Sequence, residues 1–205
     1  MNSTSLWYTT RATGIVGLVL LTLSMVLGLV TTNRARARNW PGFVQQEMHR
    51  RISMMAVVFL AIHVLTSILD TFVSISWWTI IVPFSSSYGR FWVGLGTISL
   101  DLMLAVFVSS LLRTRISPGS WRAIHWVAYL SWPIALAHTF GIGTDAGEGW
   151  VIILAVACIL AVGVAFGWRL RVTAHHTGQQ GLQAAPGAAR SLAPAVTTRG
   201  PRHDR

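Results

Sequence analysis

The pattern of apolar and polar positions divides the chain into five apolar blocks separated by short polar segments. Each block is close to the roughly 20 residues that a helix needs to cross the hydrocarbon core of a bilayer. The blocks lie at about residues 12–32, 47–70, 91–112, 121–140 and 150–168. The apolar residues are not spread at amphipathic spacing, so the pattern predicts an all-α integral membrane protein with a bundle of five transmembrane helices.

The segments outside these blocks are polar or interrupt the helical pattern. Residues 1–11 form a short polar N-terminus, and residues 173–205 are rich in Gly, Ala, Gln, Pro and Arg, which predicts a disordered tail. The loop at 71–90 is moderately apolar, and its Trp77 and Trp78 are typical of anchors at the membrane interface. An ordinary interfacial turn is favoured there over a half-inserted lid.

Positive charge is concentrated at the ends of the blocks. The chain has 16 basic residues, all arginine, against six acidic ones. This distribution indicates topology signals and contacts with the lipid bilayer, and no polar stretch interleaves basic and aromatic residues as nucleic-acid binding would require. Most of these arginines belong to alternate loops, which predicts an N-terminus outside and a C-terminal tail in the cytoplasm of a multi-pass cell-membrane protein. The arginines predicted on the cytoplasmic side are Arg34, Arg36, Arg38, Arg50, Arg51, Arg113, Arg115, Arg122, Arg169 and Arg171.

Four histidines lie inside two of the blocks, where ionisable side chains are costly and usually functional. His49 and His63 belong to the second block, and His125 and His138 to the fourth. With the predicted topology these two helices are parallel, so His49 is level with His125 and His63 with His138. At about 1.5 Å per residue, the two levels are roughly 20 Å apart. Two pairs of neutral imidazoles at matched depths predict axial ligands to the iron of two stacked haems.

The spacing within the fourth block is not in phase on an ideal helix. His49 and His63 are 14 residues apart and share a face, whereas 13 residues turn His138 about 140° away from His125. Pro133 lies between the latter two, and a proline inside a helix kinks or locally rewinds it. We therefore hypothesise that Pro133 helps to correct the phase.

Other residues of the blocks have weaker functional signals. Arg50, Arg51 and Arg122 lie beside His49 and His125 and are candidate partners for haem propionates, although topology alone would explain them as well. Arg90 is the base nearest to the other two histidines. Asp101 interrupts the third block and is a candidate for a buried proton or hydrogen-bond site, with a satisfied packing role equally expected. Cys158 is interpreted as a small core residue. Two glycine pairs favour close helix packing or room for a ring, namely Gly94 with Gly96 and Gly163 with Gly167.

The segments HRRISMMAVVFLAIHVL and WRAIHWVAYLSWPIALAH, with their histidines 14 and 13 residues apart, resemble the ferric reductase-like transmembrane domain family. That family includes the membrane parts of ferric reductases and NADPH oxidases and the haem-binding subunit of a bacterial methionine sulfoxide reductase system. The resemblance covers about residues 12–172. It implies two b-type haems with bis-histidine ligation, with His49 and His125 on the cytoplasmic-side haem and His63 and His138 on the outer one, and electrons passing across the bilayer.

The resemblance also implies partners. Oxidases and eukaryotic ferric reductases carry a flavin and nicotinamide domain after the last helix, whereas about 33 residues without a phosphate-binding glycine fingerprint follow here. We therefore expect the membrane component of an oxidoreductase whose donor is separate, a cytoplasmic flavoprotein or a quinol that brings flavin or quinone with it. The acceptor outside is a ferric chelate, oxygen or a partner protein.

Two other interpretations stay open. One is a metal or proton permease that uses the same four histidines, and the other is a non-enzymatic membrane assembly subunit that binds haem only structurally. A permease would need polar residues along a continuous path. Beyond Asp101 and a few Ser and Thr residues, the apolar blocks offer few of them.

Overall fold

The structure is a computed structural model that describes residues 3–32, 41–70, 73, 75–143 and 145–191. The described residues form six α-helices and one short 3-10 helix, Trp77–Ile80, and no strand occurs among them. The all-α prediction is therefore confirmed. The helices are α1 (Ser3–Thr32), α2 (Gly42–Leu69), α3 (Arg90–Leu111), α4 (Pro118–Trp126), α5 (Ala128–Ile142) and α6 (Gly149–Ser191).

Four helical segments of the described chain are long and apolar enough to cross a bilayer: Thr4–Thr31, Gly42–Leu69, Arg90–Leu111 and Gly149–Val172. Their outer faces carry large apolar side chains, such as Ile153 and Val164, that are 71% exposed. Lipid chains can cover such faces at no cost, and a helix satisfies its own backbone hydrogen bonds there.

The fourth predicted span is divided, so the prediction of one continuous helix there is wrong. Helix α4 begins where Pro118 occupies the first turn and the Ser117 hydroxyl accepts a hydrogen bond from the Ser120 N–H at 3.1 Å. At Val127 the regular pattern breaks: its N–H donates to the Ile124 carbonyl at 3.0 Å, and its carbonyl accepts from the Leu130 N–H at 2.9 Å. These are the tighter bonds of a 3-10 turn.

Two helix ends also differ from the prediction. Helix α1 begins at Ser3, within the segment predicted as polar and non-helical. The Thr9 hydroxyl donates to the Ser5 carbonyl at 2.7 Å, and Arg11 lies over the Trp7 ring at 4.7 Å, so local contacts extend the helix. Helix α6 continues to Ser191, past the predicted start of a disordered tail, through a sequence rich in the good helix formers Ala and Gln.

The helices pack in antiparallel neighbours, α1 along α2 and α3 along α5, and α1 also contacts α5 and α6. A small core joins α1, α5 and α6. The indole N–H of its central residue, Trp132, donates to the Thr22 hydroxyl at 2.9 Å. Cys158 is buried in this core, as predicted. The core residues are Leu18, Trp132, Leu136, Ala155 and Cys158.

The loop before α3 folds back onto that helix. The Thr97 hydroxyl donates to the carbonyl of Thr79 at 2.7 Å, and a methyl group at Gly94 would collide with the Phe84 ring. Gly94 thus leaves room for a ring, as predicted. Trp77 and Trp78 are 60% and 72% exposed, which suits side chains at a membrane interface.

Some predicted features are not found or not described. Gly163 and Gly167 have no atom within 4 Å of the position of a Cβ, so within the described residues they serve no close packing. Arg34, Arg36 and Arg38, which contribute to the predicted topology, lie outside the described residues, as does the last part of the tail.

Candidate functional site

The four histidines of the helices meet in two pairs, the same pairs that their spacing predicted. The ring centroids of His49 and His125 are 6.3 Å apart, and those of His63 and His138 are 6.4 Å apart. The ring planes are inclined by 69° and 81°, so neither pair is stacked face to face. Helix α2 therefore contributes one histidine to each pair, and the α4–α5 segment contributes the other.

This separation suits a metal ion between the two rings. Metal–imidazole bonds are about 2 Å long and a ring centroid lies roughly 1 Å behind the bonding nitrogen, so imidazoles on opposite sides of one ion have centroids about 6 Å apart. Both pairs have this separation. Among the described residues each pair is joined by no third His, Cys, Asp or Glu, and two imidazoles are the donor set that a bis-histidine haem requires.

Three of the four rings are oriented by a backbone carbonyl. The Nδ1 atoms of His49, His63 and His138 lie 3.0, 2.8 and 2.7 Å from the carbonyl oxygens of Ser24, Thr10 and Trp92, in that order. Because a carbonyl oxygen only accepts, each Nδ1 carries the proton and each Nε2 keeps its lone pair. A ligating histidine is held by such a bond in most metal sites.

The fourth ring is held differently. No described residue pairs with the buried Nδ1 of His125, and the buried indole nitrogen of Trp121 also has no partner among them. The two rings stack at 4.9 Å with planes inclined by 25°, and the Arg113 guanidinium lies 4.9 Å from the Trp121 centroid. His125 is therefore positioned by stacking on Trp121, whose ring also contacts the Arg113 guanidinium, and not by a hydrogen bond to a carbonyl.

The two pairs border cavities of very different size. The cavity lined by His49 and His125 has a volume of about 1840 Å³, and the one lined by His63 and His138 has about 270 Å³. We call His49 with His125 the wide-cavity pair and His63 with His138 the narrow-cavity pair. Ligand pockets commonly have about 300–1,000 Å³, so the first exceeds this range and the second is near its lower limit.

The arginines predicted beside the first pair do line the wide cavity. Arg50, Arg51 and Arg122 all belong to its wall. The Nε atoms of Arg50 and Arg51 lie 3.0 and 2.7 Å from the Glu47 carboxylate, and their side chains are 73% and 76% exposed. These two charges are therefore partly compensated within α2 before any ligand is considered.

Sequence reasoning missed three other arginines. Arg113 and Arg169 also line the wide cavity, and Arg169 donates to the Tyr129 hydroxyl at 2.6 Å. Arg11, ion-paired with Asp145, lines the narrow cavity. The available signal was their position: Arg113 and Arg169 end apolar blocks on the predicted side of His49 and His125.

The base expected near the narrow-cavity pair lies elsewhere. The Nε of Arg90 donates to the Phe84 carbonyl at 2.7 Å, and Arg90 does not belong to the wall of the narrow cavity. It therefore holds the loop before α3. Arg11, and not Arg90, is the base at this cavity.

Asp101 and Pro133 lie near the site without facing the histidines. Asp101 is at the middle of α3, is partly exposed and belongs to the wall of neither cavity. Pro133 lies inside α5, and the carbonyl that its ring crowds is that of Tyr129, next to the 3-10 turn at Val127. A 3-10 turn rotates more per residue than an α-helix, which advances the phase in the direction that His138 needs.

Apolar helices that enclose two facing histidine pairs define a multi-pass membrane protein with two candidate metal-ligand sites. The chain matches, over residues 13–136, the model of the family described as ferric reductase like transmembrane component, and it belongs to that family. The match includes three of the four histidines and ends just before His138. Comparisons with curated proteins and with solved structures gave no match.

Proposed function

We propose that this protein is a transmembrane electron carrier that binds two b-type haems, one at each histidine pair. His49 and His125 are the axial ligands of one haem, and His63 and His138 those of the other. The observation that carries the proposal is the facing geometry: ring centroids 6.3 and 6.4 Å apart, with three Nδ1 atoms bound to carbonyls. Membership of the ferric reductase-like family supports electron transfer as the activity.

When bound, a haem supplies an iron that gains and loses one electron without a proton being required. The chain supplies the ligands and their surroundings. The carbonyl bonds at Nδ1 fix each tautomer and make Nε2 more basic, and apolar helix faces keep water away from the site. Arginines at the wide cavity are suited to the propionates, with Arg113 and Arg169 as candidates beside Arg50, Arg51 and Arg122.

The two sites lie at two depths of one bundle. The ring contacts join His49 to His125 and His63 to His138, so α2 and the α4–α5 segment run in the same direction through the membrane. Fourteen residues of α2 separate the sites by about 21 Å. With α4–α5 as one interrupted crossing, the chain has five crossings, and a carrier with two such sites extends across most of the bilayer.

The orientation follows from the charges that flank the helices. Arg50, Arg51 and Arg122 lie at the level of the wide-cavity pair. On the same side, Arg113 follows the end of α3, and Arg169 and Arg171 lie at the end of the apolar part of α6. The positive-inside rule places this side in the cytoplasm and the N-terminus outside, in the cell membrane. Electrons therefore enter at the wide-cavity pair from a separate flavoprotein or quinol and leave at the narrow-cavity pair to an acceptor outside.

Single substitutions of the four histidines by alanine test this proposal. The purified variants should form two groups by their absorbance in the α-band region: His49→Ala and His125→Ala should lose one haem, and His63→Ala and His138→Ala the other. Within a group the two losses should match, because a bis-histidine haem needs both rings. Haem losses that do not form these two groups, or variants that retain both haems, would contradict the proposed ligand assignment.

A further inference from the structure

Three of the four paired histidines rest against a glycine of a neighbouring helix. A methyl group built on Gly96 would lie 2.7 Å from Nδ1 and Cε1 of His138. One built on Gly14 would lie 2.9 Å from the same atoms of His63, and one built on Gly28 would lie 3.4 Å from Cε1 of His49. The first two contacts are closer than carbon and nitrogen atoms tolerate, so each imidazole occupies space that an alanine would need.

Each glycine has the same relation to the carbonyl that its histidine binds. The carbonyls belong to Thr10, Ser24 and Trp92, four residues before Gly14, Gly28 and Gly96 respectively. In an α-helix the carbonyl of residue i binds the N–H of residue i+4. The side chain of residue i+4 leans toward the N-terminus and covers that turn, so a residue with a Cβ would stand where the imidazole approaches the carbonyl.

We propose that Gly14, Gly28 and Gly96 are positioning residues for the haem ligands. Each one opens a helix carbonyl that already holds its own backbone hydrogen bond, so that a histidine of the next helix can donate its Nδ1 proton to the oxygen's second lone pair. The bond sets the tautomer and directs Nε2 to the facing histidine. Because this role of the glycines concerns haem ligands, the inference rests on the proposed function.

The register of the helices repeats the arrangement. Gly14 and Gly28 are 14 residues apart on α1, as His63 and His49 are on the antiparallel α2. The α1–α2 pair therefore contains the arrangement of glycine, carbonyl and histidine twice. The Trp92–His138 contact sets the register of α3 against α5, and the same register brings His125 level with residues 105 and 106. A fourth arrangement would therefore need the carbonyl of residue 105 or 106 and a glycine four residues later, at 109 or 110.

That fourth position has serine and not glycine. The hydroxyls of Ser109 and Ser110 donate to the Val106 carbonyl at 2.9 and 2.8 Å. Correspondingly, the Nδ1 of His125 has no partner among the described residues. The carbonyl bond thus occurs at the three histidines that face a glycine and is absent at the one that does not, which is the pattern that the inference requires.

The test compares Gly14→Ala, Gly28→Ala and Gly96→Ala with Gly163→Ala. Gly163 lies on α6, lines neither cavity and has no atom within 4 Å of its Cβ position, so it is the control. Gly96→Ala and Gly14→Ala should lose the haem of the narrow-cavity pair, about one of two per chain. Gly28→Ala, with the mildest contact, should retain both haems but shift the midpoint potential of the wide-cavity haem alone. Gly163→Ala should match the parent.

A second readout is independent of haem. In haem-free protein with ¹⁵N-labelled histidine, NMR should show the Nδ1-protonated tautomer at His49, His63 and His138, and each glycine variant should lose that signal for its own histidine only. A parent protein that binds no haem would overturn the proposed function but leave this tautomer test decisive. A parent with two haems whose positioning-glycine variants keep every tautomer and both potentials, or lose both haems together while Gly163→Ala keeps them, overturns the inference.

Discussion

The two histidine pairs have the same ring separation but are held in different ways. At the narrow-cavity pair both rings donate to carbonyls and both face a glycine, around a cavity of about 270 Å³. At the wide-cavity pair only the His49 ring donates to a carbonyl and faces a glycine, whereas the His125 ring stacks on Trp121. The cavity there has a volume of about 1840 Å³. One site is fixed mainly by backbone contacts, and the other borders a larger cavity that several arginines line.

This difference fits a carrier that receives electrons at one end. A site that must admit a changing partner benefits from space and adaptable side chains, whereas a terminal ligand pair benefits from rigidity. The carbonyl bonds constrain tautomer and orientation together, so the narrow-cavity pair is preorganised before any cofactor binds.

The largest expected effect is an unequal response to added imidazole. His125→Ala and His138→Ala should each lose about one of two haems per chain, but millimolar imidazole should restore haem in His125→Ala only. Each variant vacates an imidazole-sized space, but the much larger cavity beside position 125 gives a free ligand an easier approach than the small one beside position 138. Haem per chain with and without imidazole is the measurement, and equal rescue of both variants would show that cavity width does not separate the sites.

Replacing Pro133 should have the next largest effect. In Pro133→Ala the Tyr129 carbonyl regains a backbone partner, and the 3-10 turn at Val127 can relax toward a regular helix. His125 and His138 would then move out of phase, so haem content should fall at one of the two sites. Unchanged haem at both sites would remove the phase hypothesis.

A substitution in the core that joins α1, α5 and α6 should lower the stability of the whole bundle. Trp132→Phe removes the buried hydrogen bond to Thr22 and should cost about 1 kcal/mol of stability. Thr22→Val leaves the indole N–H buried without an acceptor and should cost somewhat more, roughly 1–3 kcal/mol. Thermal unfolding in detergent measures both costs. A selective loss at one pair would show that this bond belongs to that site and not to the shared core.

A smaller effect is expected from giving His125 the missing glycine. Because the Ser109 hydroxyl also donates to the Val106 carbonyl, the variant combines Ser109→Ala with Ser110→Gly. It should open this carbonyl, allow a bond from the His125 Nδ1 and lower the midpoint potential of the wide-cavity haem, because the bond makes the ligand more basic. Ser109→Ala with Ser110→Ala is the control, since it removes both hydroxyls but keeps the Cβ at position 110. Equal potentials in the two variants would contradict this account of the difference between the pairs.

The smallest effect is expected at Asp101. It lines neither cavity, so Asp101→Asn should leave haem content and the rate of transmembrane electron transfer in proteoliposomes unchanged. Lower turnover with both haems retained would instead support the proton-handling role that its position in the third block suggested.

Much of the fold and the pairing of the histidines could be predicted, because both follow from local periodicity. Apolar block length gives the spans, and positions 49, 63, 125 and 138 give two levels on two parallel helices. The division at Val127 was missed because Pro133 was assigned only a kink. The start of α1 at Ser3 was missed because its threonines were counted as polar, although their hydroxyls bind the helix itself.

The positioning contacts could not be predicted in the same way. Gly14 and Gly28 look like ordinary small residues of an apolar helix, and their meaning depends on the register between α1 and α2. Gly96 was expected to allow close helix packing or room for a ring, but its association with the Trp92 carbonyl appears only when α3 lies beside α5. Such contacts join residues 25 to 53 positions apart, beyond the reach of any local pattern.

The most direct test of the account is a redox titration of the purified parent protein, followed by absorbance and with haem measured per chain. We expect two low-spin b-type haems per chain and two resolved midpoint potentials, because the ligands are the same but their surroundings differ. A protein without haem, or with a single haem shared between the pairs, would contradict the central claim.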